Sequence, residues 1–175
     1  MKELNRREFL TLTGAAVVAL SLAGCGGPSA PPAPPAVPTG KEAKVLEAIN
    51  LFREEKGWGE LKLDSILNVA AEKCAELAQG KIDEDTWYET VIRLDSNHGD
   101  YSGKYVNLAL PNPDDLRSYY DDVDKMKNDL LTRNPEYMPL TSPDPKKLTL
   151  VGIKVFTYPP NGQEYWYAVA AEGKK

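Results

Sequence analysis

Lys41-Glu42-Ala43-Lys44-Val45-Leu46-Glu47-Ala48-Ile49-Asn50-Leu51-Phe52-Arg53 opens the part of this chain that can bury a core. Val45, Leu46, Ile49 and Phe52 recur at i, i+1, i+4 and i+7, one face of a helix, so the stretch predicts an amphipathic helix over 41–56. Gly57 ends it, since a glycine past the last turn takes the left-handed conformation without steric cost. Asn50 and Arg53 border the apolar stripe rather than oppose it. An amide and a guanidinium so placed can reach backbone groups of the neighbouring loop or a carboxylate while their stems lie on the core.

Leu61-Lys62-Leu63 alternates as a short extended piece. Asp64 then caps a second helix with Ile66, Leu67, Ala70, Ala71, Cys74, Leu77 and Ala78 inward, ended by Gly80. A third, weaker helix is expected over 83–94, with Trp87, Val91 and Leu94 inward. A polar loop over 95–104 leads to strand character over 105–110, stopped by Pro111 and Pro113. Asp114 and Asp115 are expected to open a long helix to about Arg133, with Leu116, Tyr119, Tyr120, Val123, Met126 and Leu130 apolar. Leu148 to Tyr158 alternates and is β-branched, Pro159-Pro160-Asn161-Gly162 turns, and Glu164 to Ala171 returns as the second strand of a hairpin. Helices segregated from an antiparallel hairpin define an α+β domain over 41–175.

The residues before Lys41 have another character. Lys2, Arg6 and Arg7 form a basic start, Phe9 to Ala23 is apolar or small, and Leu22-Ala23-Gly24-Cys25 follows. The apolar run suits a signal segment and falls short of the roughly 20 residues a membrane span needs. The ending resembles the lipobox of bacterial lipoproteins, in which cleavage leaves Cys25 carrying a diacylglyceryl group. Asn5-Arg6-Arg7-Glu8-Phe9-Leu10 is similar to the twin-arginine export signal, with Arg6 and Arg7 as the pair. Residues 1–25 therefore read as a lipoprotein signal peptide. Residues 26–40 read as a Pro/Ala-rich linker that favours extended polyproline II. The expected location is extracytoplasmic, on a cell surface or periplasmic face, with the membrane as a partner through lipidated Cys25.

Composition narrows the function. The chain has 175 residues, 42% of them hydrophobic and 27% charged, which suits one globular domain with a tail. Its net charge is −5, so no nucleic-acid partner is expected. Loss of residues 1–24, which carry +1 from Lys2, Arg6 and Arg7 against Glu3 and Glu8, takes the mature chain to −6. Anionic headgroups would repel such a surface, leaving the anchoring to lipid. With one His and two Cys, a Cys/His zinc finger is not available. No Gly-rich phosphate loop, G-x-S-x-G elbow or H-E-x-x-H occurs.

Three segments in order resemble the CAP superfamily of cysteine-rich secretory, antigen 5 and pathogenesis-related proteins. The first is Val45 to Arg53 followed by Leu61-Lys62-Leu63-Asp64, Leu67 and the Ala-rich helix. The second is His98-Gly99-Asp100-Tyr101-Ser102-Gly103-Lys104-Tyr105-Val106-Asn107-Leu108-Ala109, similar to the family's His followed by Gly-Glu-Asn-hydrophobic-Ala. The third is Leu150-Val151-Gly152-Ile153-Lys154-Val155, followed by Tyr165-Trp166-Tyr167. The resemblance implies an α-β-α sandwich, an antiparallel sheet flanked by helices, with a ligand cleft that would contain His98, Asp100, Tyr105 and Asn107. It also marks Asn50 and Arg53 as a structural pair.

The departures bear on chemistry. The family's cleft holds two His and two Glu. Here the Glu of Gly-Glu-Asn falls on Val106, only Asn107 matches the next position, and His98 is the one His in the chain. No metal site, no cofactor and no catalytic residue are expected. The sequence favours a binding domain for an envelope polysaccharide, a small ligand, a peptide or a protein. The competing reading is a hydrolase acting on peptides or peptidoglycan with a rearranged site. Cys74 sits on an apolar helix face and is expected to pack as a core thiol. Asp121-Asp122-Val123-Asp124 is expected on a solvated helix face, because the spacing does not fit a calcium loop.

Overall fold

The computed structural model describes residues 40–92, 105–112, 114–132, 138–141 and 144–173. In chain order the elements are α1 (Lys41–Glu55), β1 (Lys62–Leu63), α2 (Ser65–Ala78), α3 (Glu84–Ile92), β2 (Tyr105–Ala109), β3 (Arg117–Ser118), α4 (Val123–Thr132), α5 (Met138–Thr141), β4 (Leu150–Thr157) and β5 (Glu164–Gly173).

The β4–β5 hairpin is the centre of the sheet. Its register runs from Leu150↔Ala171 to Thr157↔Glu164 without a break. β1 adds to the outer edge of β4 in parallel, the one departure from the expected antiparallel sheet. β2 and β3 lie end to end along the other edge of β5, both antiparallel to it. The turn closing the hairpin places Gly162 at φ 68°, a left-handed conformation that suits glycine, and its N–H donates to the Tyr158 carbonyl at 2.9 Å.

Alternation along these strands divides the core into two layers. Val151, Ile153, Trp166, Ala168 and Ala170 face α1 and α4, packing on Val45, Ile49, Phe52, Met126 and Leu130. Tyr167, Val169, Ala171 and Phe156 face the other way, onto Leu67, Ala70, Ala71 and Cys74 of α2. The result is an α-β-α sandwich. Gly152 sets the contact between α2 and the sheet. A Cβ there would stand 1.9 Å from the Leu67 carbonyl carbon and 2.3 Å from the Asn68 nitrogen, so only a glycine lets the helix backbone lie directly on the strand. Asn68 continues the contact, its Oδ1 accepting from the Ile153 N–H at 2.9 Å.

The second helix is capped as the sequence predicts: Asp64 Oδ1 accepts from the N–H groups of Ile66 (2.9 Å) and Leu67 (3.1 Å). The expected long helix from Asp114 is not formed. Residues 117–118 are extended as β3, because Arg117 and Ser118 find partners in Trp166 and Tyr165 of β5. The Tyr119 N–H goes to the Glu164 carbonyl at 2.9 Å, and the helix starts only after Asp122, whose Oδ1 accepts from the Lys125 N–H at 3.1 Å. Asp114 and Asp115 are therefore not helix-start charges, and Asp115 pairs instead with buried Arg117 at 3.1 Å. Within the acidic run, Asp122 is a cap and Asp121 pairs with Lys44 at 2.6 Å. The short α5 has no counterpart in the sequence reading.

Candidate functional site

Of the residues singled out for a cleft, His98 and Asp100 lie outside the described residues, as do Arg6, Arg7 and Cys25. Asn107 stands on β2. Tyr105, expected to line the cleft, is fully buried in the layer between the sheet and α2. Its hydroxyl donates to Asp64 Oδ1 at 2.6 Å. The capping carboxylate thus ties the start of β2 to the start of α2, and the ring that could have faced a ligand is spent on the core. Val106, at the position of the family's Glu, is half-buried opposite Glu172.

Asn50 and Arg53 meet the loops that follow α1. Asn50 treats Leu61 as a strand neighbour would. Its Nδ2 donates to the Leu61 carbonyl at 3.1 Å and its Oδ1 accepts from the Leu61 N–H at 2.9 Å. The fully buried Arg53 donates to the carbonyls of Gly59 (2.6 Å), Leu140 (3.3 Å), Pro145 (2.8 Å) and Leu148 (3.2 Å). Removal from water pushes its pKa down to about 10, which still leaves it charged at neutral pH. Each of these bonds ends on the chain's own backbone, in loops and in α5, so the pair fixes architecture.

Cys74 is buried in α2 and accepts a hydrogen bond from Trp87 Nε1 at 3.2 Å. Burial pushes its pKa up to about 11, so the thiol is protonated and a poor nucleophile. Among the described residues no group of three or more His, Cys, Asp or Glu side chains could hold a metal ion, and no helix is long and apolar enough to cross a membrane.

The open surface of the described residues includes two kinds of depression. One, of about 420 Å³, lies beside the end of β4 between α1 and α2. Most of its charges are paired, Lys41 with Glu164, Lys154 with Glu72 at 3.1 Å and Glu76 with neighbouring Lys73 at 2.5 Å, while Glu42 accepts from the Val155 N–H at 3.3 Å and Lys81 is in no ion pair among the described residues. The other is a pair of hollows around α3. A hollow of about 380 Å³ is lined by Leu77, Glu84, Asp85, Trp87 and Tyr88, and one of about 350 Å³ by Leu77, Ala78, Glu84, Asp114, Leu116 and Tyr158. They share Leu77 and Glu84. Tyr88 is 58% exposed, unusual for a large ring. The sequence reading did not assemble these hollows, although adjacent Trp87 and Tyr88 carried a signal: on one helix, two successive rings cannot both face the core.

No protein-family model matches the chain, and no curated protein does. Among solved structures, a cysteine-rich secretory protein from Staphylococcus aureus superposes with a TM-score of 0.50 at 20% sequence identity. The match covers 75% of this chain and 38% of that protein, so this chain spans well under half of its neighbour's length. The described architecture is an α+β, CAP-like fold.

Proposed function

We propose that this CAP-like chain is a lipid-tethered, extracytoplasmic binding domain rather than an enzyme. The observation that carries the reading is the run from Leu22-Ala23-Gly24-Cys25 through the Pro/Ala-rich residues 26–40, which ends where α1 begins at Lys41. A thiol preceded by small residues is what lipidation requires, and a stiff spacer holds a folded domain off a membrane. Binding rather than hydrolysis is favoured by the residues present. Val106 replaces the carboxylate of the family motif, the chain has one imidazole, and Asp64, beside β2, already accepts from three donors. Export by the twin-arginine route through Arg6 and Arg7, and a ligand from the cell envelope, belong to the same proposal.

Cell fractionation of Cys25→Ala against the parent chain tests it. The parent is expected to incorporate labelled fatty acid and pellet with membrane. Cys25→Ala should lose the label and appear in the soluble fraction with its fold intact. A Cys25→Ala chain that still labels and pellets would overturn the proposal.

A further inference from the structure

We propose that the paired hollows around α3 form one groove that docks a basic, extended peptide segment, in which lysine or arginine side chains alternate with apolar ones. The inference rests on the binding reading above and names the chemistry of the partner. Three observations carry it. The first is composition: the lining combines apolar and aromatic surface from Leu77, Trp87, Tyr88, Leu116 and Tyr158 with the carboxylates of Glu84, Asp85 and Asp114, and among the described residues includes no Lys or Arg. The second is a contrast within the molecule. Lys154–Glu72, Lys44–Asp121 and Lys127–Glu55 are surface carboxylates met by the chain's own cations, whereas no ion pair among the described residues involves Glu84, Asp85 or Asp114, and these three, unlike the equally unpaired Glu47, Glu54 and Glu60, rim hollows lined by aromatic rings. The third is the fixed ring. Trp87 is half-buried against the α2 layer and held there by its Nε1 bond to Cys74, so the part of its surface that lines the hollow is fixed and is offered to a ligand at little entropic cost.

An organic cation suits this lining better than a metal ion does. Ring faces attract ammonium and guanidinium groups, and a lysine or arginine stem covers apolar surface while its head meets a carboxylate. A divalent ion needs converging oxygens, and these carboxylates do not form such a group. Two hollows joined at Leu77 and Glu84 provide successive sites along an extended chain. The net charge of −5 draws a basic partner toward the domain.

Titration of the full chain in non-ionic detergent tests this, followed by tryptophan fluorescence. The probes are a capped hexapeptide of alternating lysine and leucine, its glutamate–leucine counterpart, and an uncharged N-acetylglucosamine tetramer. Trp87 is the tryptophan that lines the groove. The lysine peptide is expected to bind with a fluorescence change and to weaken as salt is raised, while the other two leave the signal unchanged. The double variant Glu84→Gln, Asp114→Asn should weaken the lysine peptide by at least about fivefold. Glu72→Gln, at the other depression, should not weaken it. No binding of the lysine peptide, equal binding of the glutamate peptide, or equal weakening by Glu72→Gln would each overturn the proposal. Binding of the sugar in place of the peptide would also overturn it. The lipid-tether reading is scored separately by fractionation, so either can fail without the other.

Discussion

Arg53 and Glu84 stand at two places where polar side chains meet apolar surface, and they use it in opposite ways. At the Arg53 corner the guanidinium is fully buried, and its donors are spent on the carbonyls of Gly59, Leu140, Pro145 and Leu148. Asn50 beside it satisfies both backbone groups of Leu61. Around α3, Glu84, Asp85 and Asp114 rim aromatic hollows and form no ion pair among the described residues. A polar group whose bonds close on the chain's own backbone specifies the fold. One left facing water beside an exposed ring contributes little to folding and remains available to a partner. Substitutions at the first place should therefore change stability, and those at the second should change binding.

The largest effect is expected where the frame is tightest. Gly152→Ala drives a Cβ into the backbone of Leu67 and should cost about 4 kcal/mol or more, seen as loss of the cooperative urea transition or a large fall in its midpoint. Arg53→Met keeps much of the stem's packing but strands buried carbonyls and should cost about 3 kcal/mol by the same measurement. Asn50→Ala leaves the two Leu61 backbone groups unpaired and should cost about 1–3 kcal/mol. Lys56→Ala, exposed at the end of α1, should stay within about 0.5 kcal/mol of the parent. If Asn50→Ala and Lys56→Ala shared a midpoint, the corner would not be the architectural element described. Thiol labelling gives a smaller, local check. In the Cys25→Ala chain, Cys74 should resist alkylation at neutral pH and react once urea unfolds the domain, because burial holds its pKa up at about 11.

Much of this frame was legible in the sequence for physical reasons. α1 and α2 carry a 3.6-residue apolar period together with a stop at Gly57 or a cap at Asp64, so two independent signals agree. β4 is β-branched and alternating, and β5 returns beside it after a Pro-Pro-Asn-Gly turn. The expected helix from Asp114 failed because Leu116, Tyr119, Tyr120 and Val123 imitate a helical period, while the deciding partner of Arg117 and Ser118 is the edge of β5, almost 50 residues away. α5 offered no signal, being four residues long with Pro139 inside it. The candidate site was less legible still. Tyr105 reads as a motif residue, but the fold places its ring over α2 and its hydroxyl on Asp64. The α3 groove draws on residues from 77 to 88, 114 to 116 and 158, which only the topology brings together.

The division between the Arg53 corner and the α3 groove is tested most directly by urea unfolding of Arg53→Met beside the double variant Glu84→Gln, Asp114→Asn. The account predicts that the double variant unfolds at the parent's midpoint, within about 0.5 kcal/mol, while Arg53→Met unfolds at clearly lower urea. A double variant destabilised as much as Arg53→Met would show that the groove's carboxylates hold the fold, and would contradict the assignment of that surface to a partner.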